Sequence, residues 1–378
     1  MKKFVVLALG VVIALAATEV RAQEKITMKG IGLSGYVDAA VGLSRVSSDW
    51  VPGATFLPGT FPGTIPLSQG SGPNETDFSF AATEFKLHFN KDFGDKATAV
   101  ASFSVASSGD SSGSSGTSSS GGDFNYDLQQ AFVKLNFGES HFLMGRFYAP
   151  IGIETVDANQ RATVTLGNVF SILEPFFLTG AMLHYAPKEG VGGFIYVANG
   201  LGGNNSECND LLATPSPCAD PSDLGKALAA GVTYAGDGTS ATLQYNVDWA
   251  GNPTTKKVFE DATQIVDLSV LHDSDELLAG LDLIYRRDNS GSTNADTFGF
   301  ELLGAAKMDD ITVGGRAEII HQAELEVCMI SLTPFLTYKI VDGVFARAEY
   351  RHDMVGSFDA EVWTRANQVV AQLNASFE

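Results

Sequence analysis

Towards the end of the chain Phe345, Arg347, Glu349 and Arg351 alternate residue by residue with Val344, Ala346, Ala348 and Tyr350. Two guanidiniums on either side of a carboxylate, all on one face of an extended segment, resist burial in a dry core and suit a wall that meets water. Glu84, Lys86 and His88 repeat the arrangement opposite Phe85, Leu87 and Phe89. The polar phase of other alternating stretches adds Asp248, Asp282, Arg286, Glu301, Arg316, Glu318 and Lys339. Charges of both signs around one wet space act through a transverse field, not as a ring dedicated to one ion. Taken singly, each residue reads more readily as a structural ion pair between neighbouring strands; only the set carries meaning.

Other chemistries find little support. The six histidines show no HExxH spacing, and Cys208, Cys218 and Cys328 form neither CxxC nor CxxCH, which speaks against a metal centre of those kinds and against covalent haem. No nucleophile elbow is read, so enzymatic activity and cofactors are not expected. The formal charge is −20, and loss of the leader's Lys2, Lys3, Arg21 and Glu19 lowers it to −22. That balance argues against nucleic acid as a partner. Acids such as Glu207, Asp210, Asp220, Asp223, Asp273, Asp275 and Glu276 fall in expected loops and turns, where they suit divalent-cation bridging to a charged outer leaflet and bias attraction toward cations. A generic acidic secreted surface explains them equally well.

The elements that must position these side chains are strands. Lys2 and Lys3 precede an apolar run from Phe4 to Ala17 and a small-residue site at Val20-Arg21-Ala22, the pattern of a secretory signal peptide over residues 1–22. The mature chain, 23–378, reads as one domain without an apolar run long enough for a membrane helix. From Gly30 onward stretches of two-residue alternation recur, clearest where Leu243, Tyr245, Val247 and Trp249 oppose Thr242, Gln244, Asn246 and Asp248. Short turns near Asp92–Asp95, Gly138–Ser140, Pro187–Gly190, Met308–Asp310 and Val341–Gly343 interleave with longer connections, among them Ala149–Leu178, Asp288–Ala295, Gln322–Glu326 and Met354–Trp363. This predicts an all-β, transmembrane antiparallel β-barrel of about 16 strands, with short periplasmic turns and long extracellular loops. The Ser/Gly run Ser107–Gly122 is a flexible outer loop. Cys208 and Cys218 bracket another, where an oxidising compartment favours a local disulfide; Cys328 is left over as a small buried or lipid-facing residue. A soluble β-sandwich would explain neither the short-and-long rhythm nor the closing strand Gln368–Phe377.

Leu128-Gln129-Gln130-Ala131-Phe132-Val133, the run from Met144 to Glu154, and Pro175-Phe176-Phe177-Leu178-Thr179-Gly180 resemble the OmpL-like family of outer-membrane β-barrel porins, and Gly35-Tyr36-Val37-Asp38 and Asn367-Gln368-Val369-Val370 fit the same pattern. The resemblance implies one barrel over nearly the whole mature chain, in a bacterial outer membrane, passing small hydrophilic solutes or ions passively. Independently of it, the connection Ala149–Leu178 carries few charges for its length, so a packed loop is expected. It either folds into the barrel, bringing Arg146, Glu154, Asp157 and Arg161 to the interior, or caps the rim. Partners expected are outer-membrane lipid and lipopolysaccharide, the barrel-assembly machinery that reads an aromatic C-terminal strand, and further copies of the chain in a homo-oligomer. A non-conducting barrel serving as adhesin or as the sheath of a multi-protein complex is the alternative function.

Overall fold

The computed structural model describes residues 27–28, 30–46, 76–107, 124–201, 226–249, 262–290, 293–324, 326–357 and 362–377. A two-residue β1 (Thr27–Met28) precedes β2 (Ile31–Val46), β3 (Thr76–Asp92), β4 (Ala97–Ser107), β5 (Phe124–Phe137) and β6 (Ser140–Tyr148). A short helix α1 (Asn168–Leu173) leads into β7 (Phe177–Tyr185), β8 (Gly190–Ala198), β9 (Lys226–Gly236), β10 (Thr239–Trp249) and β11 (Ala262–Asp273). The set ends with β12 (Leu277–Ser290), β13 (Thr293–Met308), β14 (Ile311–Gln322), β15 (Val327–Val341), β16 (Val344–Ser357) and β17 (Val362–Phe377).

Each strand from β2 to β17 pairs antiparallel with its sequence neighbour, and β17 pairs with β2 through partners such as Ala371 and Val41. The sixteen strands therefore form a closed ring. Closure leaves no open edge, the condition for β structure to survive in hydrocarbon. No helix among the described residues is long and apolar enough to cross a membrane.

Side chains distribute inside out. On β10, Leu243 is 54 % exposed beside Gln244 at 2 %. On β16, Arg347, Glu349, Arg351 and Asp353 are buried while Tyr350 points outward. A water-soluble sandwich would show the reverse; a lipid-facing apolar belt around a polar interior shows this. The alternation that predicted the strands is thus also the rule that sorts lipid face from lumen.

Connections at one end are tight. Asp237 and Gly238, at φ 50° and 71°, turn β9 into β10, the positive-φ pair that a right-twisted two-residue hairpin needs. At the other end the expected long connections near residues 288–295 and 354–363 are shorter than anticipated. β12 and β13 stay paired out to Ser290 and Thr293, and β16 and β17 out to Ser357 and Val362. For the first hairpin the reason is local: Arg287 donates from Nε (2.7 Å) and a terminal nitrogen (3.0 Å) to the two oxygens of Asp296, stapling the strands above the point where alternation fades. Cys328 is buried and unpaired. The signal peptide, the Ser/Gly run beyond Ser107 and the Cys208–Cys218 disulfide lie outside the described residues.

Candidate functional site

The connection between β6 and β7 folds into the barrel. Its base is closed where the Ala149 amide donates to Phe176 O at 3.2 Å. From there the chain meets the inner wall repeatedly. Gln244 Nε2 donates to Pro150 O at 2.6 Å, and the Gly152 amide reaches Asp267 Oδ2 at 3.4 Å. Backbone amides inside a barrel need acceptors, and wall carboxylates supply them. Glu349 accepts from the Val164 and Thr165 amides (2.7 and 3.2 Å), Glu318 from Val169 (2.9 Å), and the loop's own Glu154 from Gly167 (2.6 Å). Of the two placements the sequence left open, the inward one is observed.

Arginines of the wall hold the loop's carbonyl side. Arg316 bonds Glu154, Glu318 (3.1 Å), Thr163 Oγ1 (2.8 Å) and Thr165 O (3.0 Å). Arg351 spans Asp353 (2.9 Å) and Leu166 O (2.7 Å), while Asn168 bridges back to Asp353 at 3.2 Å. Arg347 donates to Ala158 O at 2.6 Å and Asn159 O at 3.4 Å. On the facing wall Lys86 pairs with Asp157, whose Oδ1 also accepts from the Tyr148 hydroxyl at 2.6 Å; His88 lies 3.9 Å from the other Asp157 oxygen. Glu84 accepts from Gln129 at 3.0 Å and from the Tyr36 hydroxyl.

The remaining side of the interior is apolar, against the expectation of a polar wall all round. Phe147, Leu178, Met182, Phe194 and Tyr196 of β6 to β8 pack with Ile151 and with Val169 and Leu173 of α1. Each such side chain, removed from water, contributes about 1.5–3 kcal/mol, so the loop is held by packing on one flank and by charge on the other. Gly145 permits the approach of β6 to β5: its φ is 135° and a Cβ there would lie 2.1 Å from Ala131 O.

Register explains the acidic flank. Asp282 stands opposite Glu301, and Glu301 opposite Glu318, in one row across β12, β13 and β14. Glu318 has Arg316 and an amide, whereas Asp282 and one oxygen of Glu301 find no donor; the same holds for both oxygens of Glu174, just past α1. Burial, and then the Asp282 carboxyl beside it, push the Glu174 carboxyl well above the usual carboxylate range. Among the described residues no three such groups converge on a metal position.

Of the residues singled out in sequence, Glu84, Lys86, Glu154, Asp157, Arg316, Glu318, Arg347, Glu349 and Arg351 meet at the inserted loop, and Asp282 and Glu301 lie on its acidic flank. Arg161 sits on the loop itself. Arg286 donates to Leu173 O of the loop at 3.4 Å and pairs with Asp288 at 2.8 Å, while Arg146, Asp248 and Lys339 are placed elsewhere. Arg146 pairs with Asp127 at 3.4 Å, donates to Gln129 O at 3.3 Å and lies over the Phe177 ring. Asp248 accepts from the Leu201 amide at 2.7 Å. Lys339 pairs with Asp342 at a tight turn, half exposed, beyond a register shift in β15. Sequence reading passed over Asp267, Asp353 and Glu174. The first two continue an alternation already visible, with Asp353 following Arg347, Glu349 and Arg351; Glu174 carries no periodic signal.

The sequence profile of the family described as "Putative beta-barrel porin-2, OmpL-like" matches residues 32–377, the whole ring of strands. The chain belongs to that family. This porin also shares its fold with solved outer-membrane structures. The outer membrane channel DcaP of Acinetobacter baumannii superposes with a TM-score of 0.62 at 14 % identity, covering 94 % of this chain and 100 % of that one. An anion-selective porin from Comamonas acidovorans gives 0.57 at 12 %, covering 92 % and 99 %. The trimer form of Vibrio cholerae OmpT gives 0.55 at 10 %, covering 92 % and 100 %. A comparison with curated protein sequences finds no match.

Proposed function

We propose that this outer-membrane porin passes small hydrophilic solutes or ions through a lumen narrowed by the connection 149–176, with the charges gathered on that loop and on its wall setting selectivity. The observation that carries the reading is the pinning of the loop across the barrel by residues of both signs: Arg316, Arg347 and Arg351 on its carbonyls, Glu318 and Glu349 on its amides. No step of bond making is assigned to these groups, which are engaged with one another and with backbone. Acidic outer loops suit lipopolysaccharide bridged by divalent cations, and the terminal strand ending at Phe377 suits recognition by the assembly machinery. The trimeric OmpT relative supports assembly as a homo-oligomer.

One observation favours the alternative of a barrel that conducts little and serves as a scaffold: Arg351, Asp282 and Asp267 are fully buried at mid-wall. Planar-bilayer recording of the refolded mature protein separates the two. Discrete conductance steps with a reversal potential in a salt gradient support the channel; a folded barrel that never conducts supports the scaffold.

A further inference from the structure

Among the cations at the inserted loop, Lys86, Arg316 and Arg351 pair with carboxylates, whereas Arg347 and Arg161 have no such pair among the described residues. Arg347 donates only to uncharged oxygens: Ala158 O, Asn159 O and, at 3.2 Å, Gln372 Oε1. The nearby acids are engaged elsewhere, Asp38 with the Gln372 side-chain amide (2.8 Å) and Glu349 with the Val164 and Thr165 amides. The turn that Arg347 grips through Ala158 O and Asn159 O is closed by the Arg161 amide on Asp157 O at 3.2 Å, so Arg161 belongs to the same turn. Arg161 itself is half-buried, and its side chain has no hydrogen-bond or ion-pair partner among the described residues. The Nε of Arg161 and the Nε of Arg347 are both enclosed without an acceptor.

Two arginines at one turn, each with an unused Nε donor and neither with a carboxylate partner, form an incomplete site, because enclosed positive charge without a counter-charge is disfavoured. The group that completes it carries negative charge and at least two acceptor oxygens, matching the planar fork of arginine. We propose that Arg161 and Arg347 form a binding subsite for the oxyanion group of a permeating solute. The proposal rests on the porin reading only for the word permeating.

Inorganic phosphate is the probe, with chloride at matched ionic strength as control and the mature full-length barrel as the protein. Arg161 has no structural partner to lose, so R161Q keeps the fold. In detergent, phosphate raises the thermal unfolding midpoint of the wild type, and R161Q loses most of that rise while R161K keeps part of it. In bilayers, phosphate reduces the chloride current, with a half-blocking concentration about tenfold higher in R161Q, the scale of one lost charge-assisted bond pair. A wild-type midpoint indifferent to phosphate, or equal shifts in wild type and R161Q, overturns the subsite. A barrel that binds phosphate through Arg161 yet never conducts leaves the subsite standing and removes the porin reading instead.

Discussion

At the residue scale the interior is governed by compensation. Arg316 neutralises Glu154 and Glu318 with all three side chains almost wholly enclosed. Removing one member of such a set leaves charge buried without a partner and costs about 3–5 kcal/mol. R316A is therefore expected to lower the urea midpoint of the refolded barrel markedly, and R316A/E318A to recover part of the loss; no recovery would mean the two do not act as a unit. Glu174 gives the pH dependence. Its proton is bound more tightly in the packed loop than in a free chain, since burial and Asp282 raise it above the usual carboxylate range. Packing of the loop is thus most favoured at low pH, where both states hold the proton, and weakens as pH climbs through the ordinary carboxylate range towards the raised value. Protease nicking within 149–176 should consequently increase with pH in the wild type. In E174Q, which cannot ionise, that increase should be smaller, and identical profiles would remove Glu174 from the account.

At the scale of elements, the connection 149–176 is held by apolar packing on β6 to β8 and by charge on β3, β14 and β16. Excising 153–166 and joining the ends with glycines should leave the ring of strands intact, because strand pairing does not pass through this segment. It should raise single-channel conductance several-fold; an unchanged conductance would place the narrowest point elsewhere. Strands were legible in sequence because a half-buried strand repeats every two residues, and Leu243 with Gln244 shows that signal plainly. The fate of the loop was not legible. Its anchors, such as Glu349 on the Val164 amide, join residues far apart in the chain, and no local period reports such contacts. The partners of Arg146, Asp127 and the Phe177 ring, were not legible for the same reason.

At the scale of the whole molecule, the inside-out distribution makes a demand that no soluble β protein shares. Leu243 lies near the middle of β10, between Thr239 and Trp249, and is 54 % exposed in the absence of lipid. On a water-facing surface a polar substitution at such a site stays within about 0.5 kcal/mol. On a lipid face the same position carries a depth-dependent penalty, about 2–4 kcal/mol for arginine at the bilayer midplane. L243R is accordingly expected to destabilise the barrel by that amount in vesicles, measured by urea titration of the refolded protein. T239R, at the tight-turn end of the same strand beside Gly238, should cost far less, because its guanidinium reaches the interface. Equal and small effects at both positions would contradict a hydrocarbon belt at the level of Leu243. A gradient from Thr239 to Leu243 would instead fix the depth of β10 in the membrane, and with it the level at which the inserted loop crosses the lumen.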